Sequence, residues 1–459
     1  MDYKNVIKQY ESEMIEGLQE LVRIKSVEDI ATATKEMPYG VGPYKCLEYT
    51  LNLCESLGMK TVNLDGHVGW AEVGSGEEMI AVLTHLDVVP EGDVKTWSVP
   101  PYDAIIKDGK MIGRGTSDNK SPAIASIYAL KSMMDMNVKF NKRIRLIFGT
   151  NEETGFGCMK HYVKRAELPT VGFTPDASFP IIHGEKGILQ LEFKSRLDLG
   201  DLNVKSFEGG VATNSVPDKC EIVIQGKFNS FVDKVKEIID THNFDAIIEV
   251  SDVCKIITFG ESSHGSTPEE GVNAISKMFK LFAECEISSN LVNDYNSKIA
   301  ECTNGELMGS DLSDEFGSLT MNVGTLELVD QEIVFGIDVR YPISKSLEQV
   351  IEKIKEGLSR SVISVDEKFH KEPIYYEKTD QLVTKLLNAY REVTNDYESE
   401  PFTIGGGSYA RAMPNLIAFG ACFIEDGFCA HQPNEFIYIK RLVEQAEIYC
   451  NALENLLEG

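Results

Sequence analysis

The chain is short of positive charge. Its 45 lysines and arginines stand against 72 aspartates and glutamates, a formal net charge of −27 at pH 7. That deficit excludes the basic footprint from which nucleic-acid binders draw affinity, and it disfavours docking on anionic membrane surfaces. No apolar stretch approaches the ~20 residues that a membrane-spanning helix needs. The opening residues Met1-Asp2-Tyr3-Lys4 are polar and lack the apolar core of an export signal. The ten cysteines form no Cys-x-x-Cys pair, so they are expected to be reduced, packed thiols rather than a disulfide framework. Low-complexity tracts and internal repeats are missing as well. These absences predict a cytoplasmic enzyme or binding protein with a solvated acidic surface.

What is present is enough chain for two cores: 459 residues, 42% of them hydrophobic. Val6, Tyr10, Met14, Leu18, Leu21 and Val22 recur at helical spacing, which predicts one helix over 4–22, and a second helix is expected over 43–57, ended by Gly58. Short strands near 60–64 and 67–73 lead to Met79-Ile80-Ala81-Val82-Leu83, a continuous apolar run that reads as a strand buried on both faces. Asp108-Gly109 is a hairpin turn signal, and Pro122 sits early in the helix after it, where its missing N–H costs nothing. Arg143–Phe148 and Val171–Phe173 are further strands. Each of these strands ends in an acidic tip before the chain turns back, the pattern of a mostly parallel α/β sheet. From about 187 the pattern changes to hairpin-like strands (187–195, 319–327, 332–339) and two amphipathic helices (271–284, 346–358). After about 376 the first pattern returns, with a helix over 380–393, a glycine loop at 405–407, a strand at 416–420 and a last helix over 440–457. The expected fold is therefore an α/β, mostly parallel-sheet catalytic domain built from 1–186 and 376–459, with an inserted α+β lid domain, 187–375.

The strand tips carry the chemistry. His85 and Asp87 end one strand and point the same way, because side chains alternate along an extended segment. Asp118, the pair Glu152-Glu153 and Asp176 follow other strands, and His431 lies in a late loop. Each feature alone has a bland reading: a buried His–Asp pair, or two glutamates favouring the positive end of a helix. If the tips adjoin, however, their carboxylates repel and cannot all stay ionised without cations. Two divalent metals, each with a histidine, a terminal carboxylate and a share of one bridging carboxylate, would balance them. One glutamate of the pair would then bind metal while its neighbour serves as general base.

The motifs His85-Leu86-Asp87-Val88-Val89-Pro90, Gly113-Arg114-Gly115-Thr116-Ser117-Asp118-Asn119-Lys120, Asn151-Glu152-Glu153-Thr154-Gly155, Thr174-Pro175-Asp176-Ala177 and Ala430-His431-Gln432-Pro433-Asn434-Glu435 run in order along the chain. In them the chain resembles the aminoacylase/carboxypeptidase family of co-catalytic metallopeptidases, and within it the PepV-like, carnosinase-related bacterial dipeptidases. The resemblance implies two divalent ions, Zn²⁺ with Mn²⁺ or Co²⁺ as alternatives. It gives His85 and Asp176 to one ion and Glu153 and His431 to the other, with Asp118 bridging and a cis peptide after it. It makes Glu152 the general base that activates the metal-bridged hydroxide, and Asp87 the residue that orients a liganding imidazole. Asn119 stands where many relatives have a second aspartate, and Ser121 where glycine is common. In the lid, the resemblance assigns His264 and Asn214 to the oxyanion and Arg340 to a substrate carboxylate, with the loop Gly405-Gly406-Gly407-Ser408 facing the substrate C-terminus. Arg340 also reads as a strand arginine paired with Asp338, and the glycines as plain turn residues.

The implied enzyme is a metallo-dipeptidase, a monomer whose partner is a small dipeptide. Three rivals stand beside it. One is an N-acyl amino acid deacylase or desuccinylase on the same metal centre. Another is a serine hydrolase, since Gly406-Gly407-Ser408-Tyr409-Ala410 resembles a degenerate nucleophile elbow with Asp426 and His431 following in order. The third is a silent binding protein that keeps the fold.

Overall fold

The computed structural model describes residues 2–242 and 244–458. The chain divides into two compact units. The first comprises residues up to His183, Tyr376–Phe402 and the chain from Ser408; the second comprises Gly184–Tyr375 and Thr403–Gly407.

The first unit is built on parallel strands. Arg143–Gly149, Met79–His85, Val171–Thr174 and Leu416–Ala418 lie side by side in that order, all parallel. The antiparallel pair Lys60–Leu64 and Val68–Val73 extends the sheet beyond Arg143–Gly149. Met79–His85 is buried at every position, as its unbroken apolar run requires of a central strand covered on both faces. Helices Glu11–Arg23, Lys120–Asp135, Gln381–Thr394 and Ile439–Leu457 pack on one another and share one core with this sheet. Lys120–Asp135 is buried almost all round, and Pro122 lies in its first turn, where no intrahelical bond is lost. Asp108 and Gly109 take φ of 50° and 74°, both positive as a two-residue hairpin turn demands.

The helix expected over 4–22 is two helices, Lys4–Gln9 and Glu11–Arg23. Tyr10 leaves helical geometry between them while its ring packs on Tyr128 and its hydroxyl bonds Asp135. Tertiary contacts there override a continuous helical spacing.

The second unit is an eight-stranded antiparallel sheet. Its order is Ala246–Val250, Val253–Phe259, Lys219–Gln225, Asn203–Gly209, Thr320–Val329, Glu332–Tyr341, Gly187–Arg196 and Ser364–Lys371. Helices Asn229–His242, Ala274–Glu284, Asn290–Lys298 and Leu347–Leu358 contribute to a second, separate core. Among the described residues this sheet holds strands, and the unit holds helices, beyond those expected from the sequence: Asn229–His242 and Asn290–Lys298 were not foreseen. The helix expected from 271 begins at Ala274, because the Asn273 side chain accepts the N–H groups of Ile275 and Ser276 and caps it. Thr403–Gly407 clusters with this unit rather than with the chain on either side of it: Lys186 donates its backbone N–H to Ile404 O, and Arg340 Nη1 donates to Gly405 O. Among the described residues no helix is long and apolar enough to cross a membrane, and the ten cysteines are free.

Gly149 ends the strand beside Met79–His85, where a Cβ would lie 2.0 Å from Tyr409 Oη and 3.3 Å from Cys158 Sγ. Tyr409 is fully buried and cannot swing aside into solvent. Gly149→Ala is expected to cost about 1–3 kcal/mol, the usual penalty for overpacking, read as a lower urea midpoint of the metal-free protein. An unchanged midpoint would show that the Tyr409 ring yields freely.

Candidate metal centre

The parallel strands bring the acidic tips of the first unit to one place. His85 is the last residue of its strand and pairs in register with Gly149, so the loop that follows Gly149 begins beside it. His85 Nδ1 lies 3.0 Å from the backbone oxygen of Asp87 and 3.6 Å from Asp87 Oδ1. A proton on Nδ1, donated to that carbonyl, leaves Nε2 with its lone pair. Nε2 faces Asp118 Oδ1 at 3.0 Å and Asp176 Oδ1 at 3.4 Å. A lone pair opposed to two carboxylate oxygens is tolerable only with a proton or a cation between them.

Asp118 is shared. Its Oδ1 faces His85, while its Oδ2 lies 3.1 Å from His431 Nε2, which is also 3.2 Å from Glu153 Oε2. The peptide bond after Asp118 is cis. His431 presents its imidazole from a left-handed backbone, φ 63°, a conformation that costs energy outside glycine. Three groups of ligand atoms therefore form: His85, Asp118 and Asp176; His85, Glu152 and Glu153; Asp118, Glu153 and His431, each with its atoms within 4.8 Å of one another.

The electrostatics state the same need for positive charge. Burial, with Asp176 next in weight, raises the Glu152 carboxyl well above the ordinary range. Burial likewise raises Glu153, and it raises Asp176 to about 6. Burial disfavours charge on His85, but Asp176, Asp118 and Asp87 outweigh it and hold the imidazole well above its usual value. Hydrogen bonds to Asp118 and Glu153 raise His431 to about 10. Asp118 is pushed up by burial yet held far down by the two histidines. With no cation present, protons are drawn in to do a cation's work. Glu153 Oε1 is buried with no hydrogen-bond partner, and so is Asp87 Oδ1. Imidazole and carboxylate donors in this pattern suit Zn²⁺, Mn²⁺ or Co²⁺, so the residues fit a pair of divalent ions.

The carboxylate of Asp87 does more than face His85, because its Oδ2 accepts the backbone N–H of Glu153 at 3.1 Å. Asn119, in place of a second aspartate, donates Nδ2 to Asp176 Oδ1 at 3.1 Å and to Pro175 O at 2.7 Å. Ser121 is fully buried, its hydroxyl without a hydrogen-bond partner. Residues given no role by the sequence also hold the centre. Tyr409 donates its N–H to Asp176 Oδ2 at 3.3 Å and packs its ring edge-on against His85. Arg114 and Glu435 form a buried pair at 2.8 Å. The sequence signal for Glu435 was its place in the His431 loop, four residues on; Tyr409 had none.

The second unit gathers the other candidates. His264 and Ser215 form a β-bridge, and Gly265 donates its N–H to Asn214 O at 2.7 Å, so His264 and Asn214 are neighbours along the backbone. The buried Asn322 donates to Thr213 O and Ser215 O, on either side of Asn214. His264 Nδ1 lies 2.7 Å from Ser266 Oγ. Arg340 donates Nε to Asp338 Oδ2 at 2.7 Å and Nη1 to Gly405 O at 3.2 Å, so the strand-pair reading of Arg340 is observed. Gly406 and Gly407 belong to the same unit, and Ser408 to the first.

The geometry does not favour Ser408 as the nucleophile of a triad. Its backbone is extended, φ −103° and ψ 173°, rather than the strained turn of a nucleophile elbow. Its Oγ accepts Ala410 N–H as a cap. Asp426 is bound by Arg441 at 2.6 Å, and His431 Nε2 faces Asp118 and Glu153.

Comparison with known proteins shows which family the chain belongs to. A protein of Staphylococcus epidermidis (strain ATCC 12228 / FDA PCI 1200) named "Putative dipeptidase" is 35% identical over 465 residues, 98% of each chain. The fold is similar to that of human carnosine dipeptidase 1, with TM-score 0.60 and 15% identity over 100% of this chain and 98% of that one. It is also similar to the dipeptidase Dug1p of Saccharomyces cerevisiae, with TM-score 0.59 and 13% identity over 100% and 98%. The profile of "Peptidase family M20/M25/M40" matches residues 81–455. The chain therefore belongs to peptidase family M20/M25/M40, whose members depend on a dinuclear metal centre, and is a peptidase.

Proposed function

We propose that the protein is a metal-dependent dipeptidase that hydrolyses dipeptides with a free N-terminus. The observation that carries this reading is the sharing of Asp118 between two ligand groups, with Glu152 beside them. The 35% identity over nearly the full length to a protein named "Putative dipeptidase" supports the substrate class.

His85, Asp118 and Asp176 would hold one divalent ion, and Asp118, Glu153 and His431 the other. Zn²⁺ is the first candidate, with Mn²⁺ or Co²⁺ as alternatives; such ions polarise a carbonyl and acidify water when bound. Asp87 fixes His85 through Nδ1 and Glu153 through its backbone, so both ligands are aimed before any ion arrives. Glu152 serves as general base. It takes a proton from the attacking water as the water oxygen bonds the scissile carbonyl carbon. It returns that proton to the amine nitrogen as the C–N bond breaks. In the metal-free protein burial, followed by Asp176, raises its proton affinity.

In this reading the second unit serves as a lid and supplies His264 and Asn214 for the carbonyl oxygen. Arg340 would receive the substrate carboxylate, and Gly406, Gly407 and Ser408 would face the substrate C-terminus. The support is internal to each unit: the bridge and Asn322 bonds that hold His264 and Asn214, and the Asp338 bond that holds the guanidinium. A monomer working in the cytoplasm completes the proposal.

Metal-stripped protein is expected to be inactive and to regain activity with Zn²⁺ or Mn²⁺ on Ala-Ala, but not on Ala-Ala-Ala or acetyl-Ala. Preference for acetyl-Ala would keep the centre and move the protein to the deacylases; activity without metal would remove the centre from the mechanism. Glu152→Gln is expected to lower kcat by about 10²–10⁴-fold, the usual worth of a general base, with metal content unchanged. A Glu152→Gln enzyme as fast as the wild type would end the general-base assignment.

A further inference from the structure

Glu435 is fully buried and receives four donors, yet it belongs to none of the ligand groups. Its Oε1 accepts the backbone N–H groups of Ser117 at 2.8 Å and Asp118 at 3.0 Å. Its Oε2 accepts Gly115 N–H at 3.0 Å and Arg114 Nη1 at 2.8 Å. The turn over 113–118 thus wraps one carboxylate, with Gly115 at φ 87° allowing the chain to close around it. Even the backbone of Glu435 takes part, since its oxygen accepts Gly113 N–H at 2.9 Å.

Two facts make this more than a buried ion pair. The turn that Glu435 holds ends in Asp118, and the bonded N–H of Asp118 lies on the residue whose carboxylate faces both histidines. The loop that carries Glu435 also carries His431, four residues earlier. Arg114 ties the same two segments from the other side: Nη1 also reaches Gln432 O at 3.3 Å and Nη2 reaches Pro90 O at 3.4 Å, in the segment that follows His85. Asn434 anchors the loop outward by accepting Ser98 N–H at 2.6 Å and donating to Thr96 O at 3.2 Å.

We propose that Glu435 is a positioning residue that holds the Asp118 turn and the His431 loop at a fixed separation, and so sets the affinity of the centre for its second divalent ion. The inference rests on the dinuclear reading above. A carboxylate is required, because all four of its partners are donors. An amide would turn an NH₂ group toward two of them and leave Arg114 buried beside an uncharged partner. Aspartate keeps the charge but is one methylene too short to reach Gly115 and Asp118 together.

The test is Mn²⁺ titration of metal-stripped protein by calorimetry, with electron paramagnetic resonance counting bound ions. Wild type is expected to bind two. Glu435→Gln is expected to weaken one of the two steps by about 10–100-fold, the usual effect of losing a group that orients a ligand. Glu435→Asp, which retains the buried charge pair and so keeps the test open if the amide variant does not fold, is expected to weaken the same step by less. Saturating Mn²⁺ should restore kcat toward wild type in either variant, because the groups that move protons are intact. Two unweakened binding steps in a folded variant, however much its melting temperature falls, would reduce Glu435 to a structural clamp and overturn the proposal. A wild-type protein that binds no ion would overturn the dinuclear reading itself, a separate and recognisable failure.

Discussion

Like charge confined in a small buried volume is the constraint on which the first unit depends. Asp118, Glu152, Glu153 and Asp176 crowd around two imidazoles; burial pushes up the proton affinity of all four carboxyls and prevails in every one but Asp118, which the histidines hold down. The neighbouring cations are committed elsewhere. Arg114 is paired with Glu435, and Lys120 Nζ donates to the carbonyl oxygens of Leu21 and Ile24 at the end of a helix. The cluster is therefore left short of positive charge by the protein itself. Divalent ions answer that shortage, which is why the same feature that costs folding energy without metal becomes binding energy with it.

Much of this was legible in the sequence because strand tips are short-range features. An apolar run ending in His85-Leu86-Asp87 specifies both the strand and the residues at its end, and a parallel sheet places such ends together. The Asp108-Gly109 turn needed only its own two residues. What lay hidden depends on partners distant in sequence. Tyr10 interrupts a helical spacing because Tyr128 and Asp135, far along the chain, give it better contacts. Tyr409 supports Asp176 through a backbone N–H, which no side-chain pattern reveals. In the second unit the edge strand Ala246–Val250 has little burial and hence no clean alternation to read. Helix Asn229–His242 does carry Phe231, Val232, Val235 and Ile238 on one face, so that element was within reach of periodicity alone.

The candidate ligands come from five separate stretches of chain, and Asp118, Glu153 and Asp176 are each held by a group from another stretch. Asp87 clamps the backbone of Glu153, Asn119 donates to Asp176, Tyr409 donates to the same carboxylate, and Glu435 of the His431 loop holds the N–H of Asp118. Such cross-bracing works against the repulsion among the carboxylates. A ligand free to rotate would turn toward solvent and relax the strain, and the centre would then have to be rebuilt at every encounter with metal. Two of these braces are carboxylates that accept backbone N–H groups, one is a neutral amide and one is a backbone N–H, so they orient the cluster without supplying the full positive charge that would satisfy it. The fold thus fixes geometry and withholds compensation, and that combination leaves the compensation to the ions.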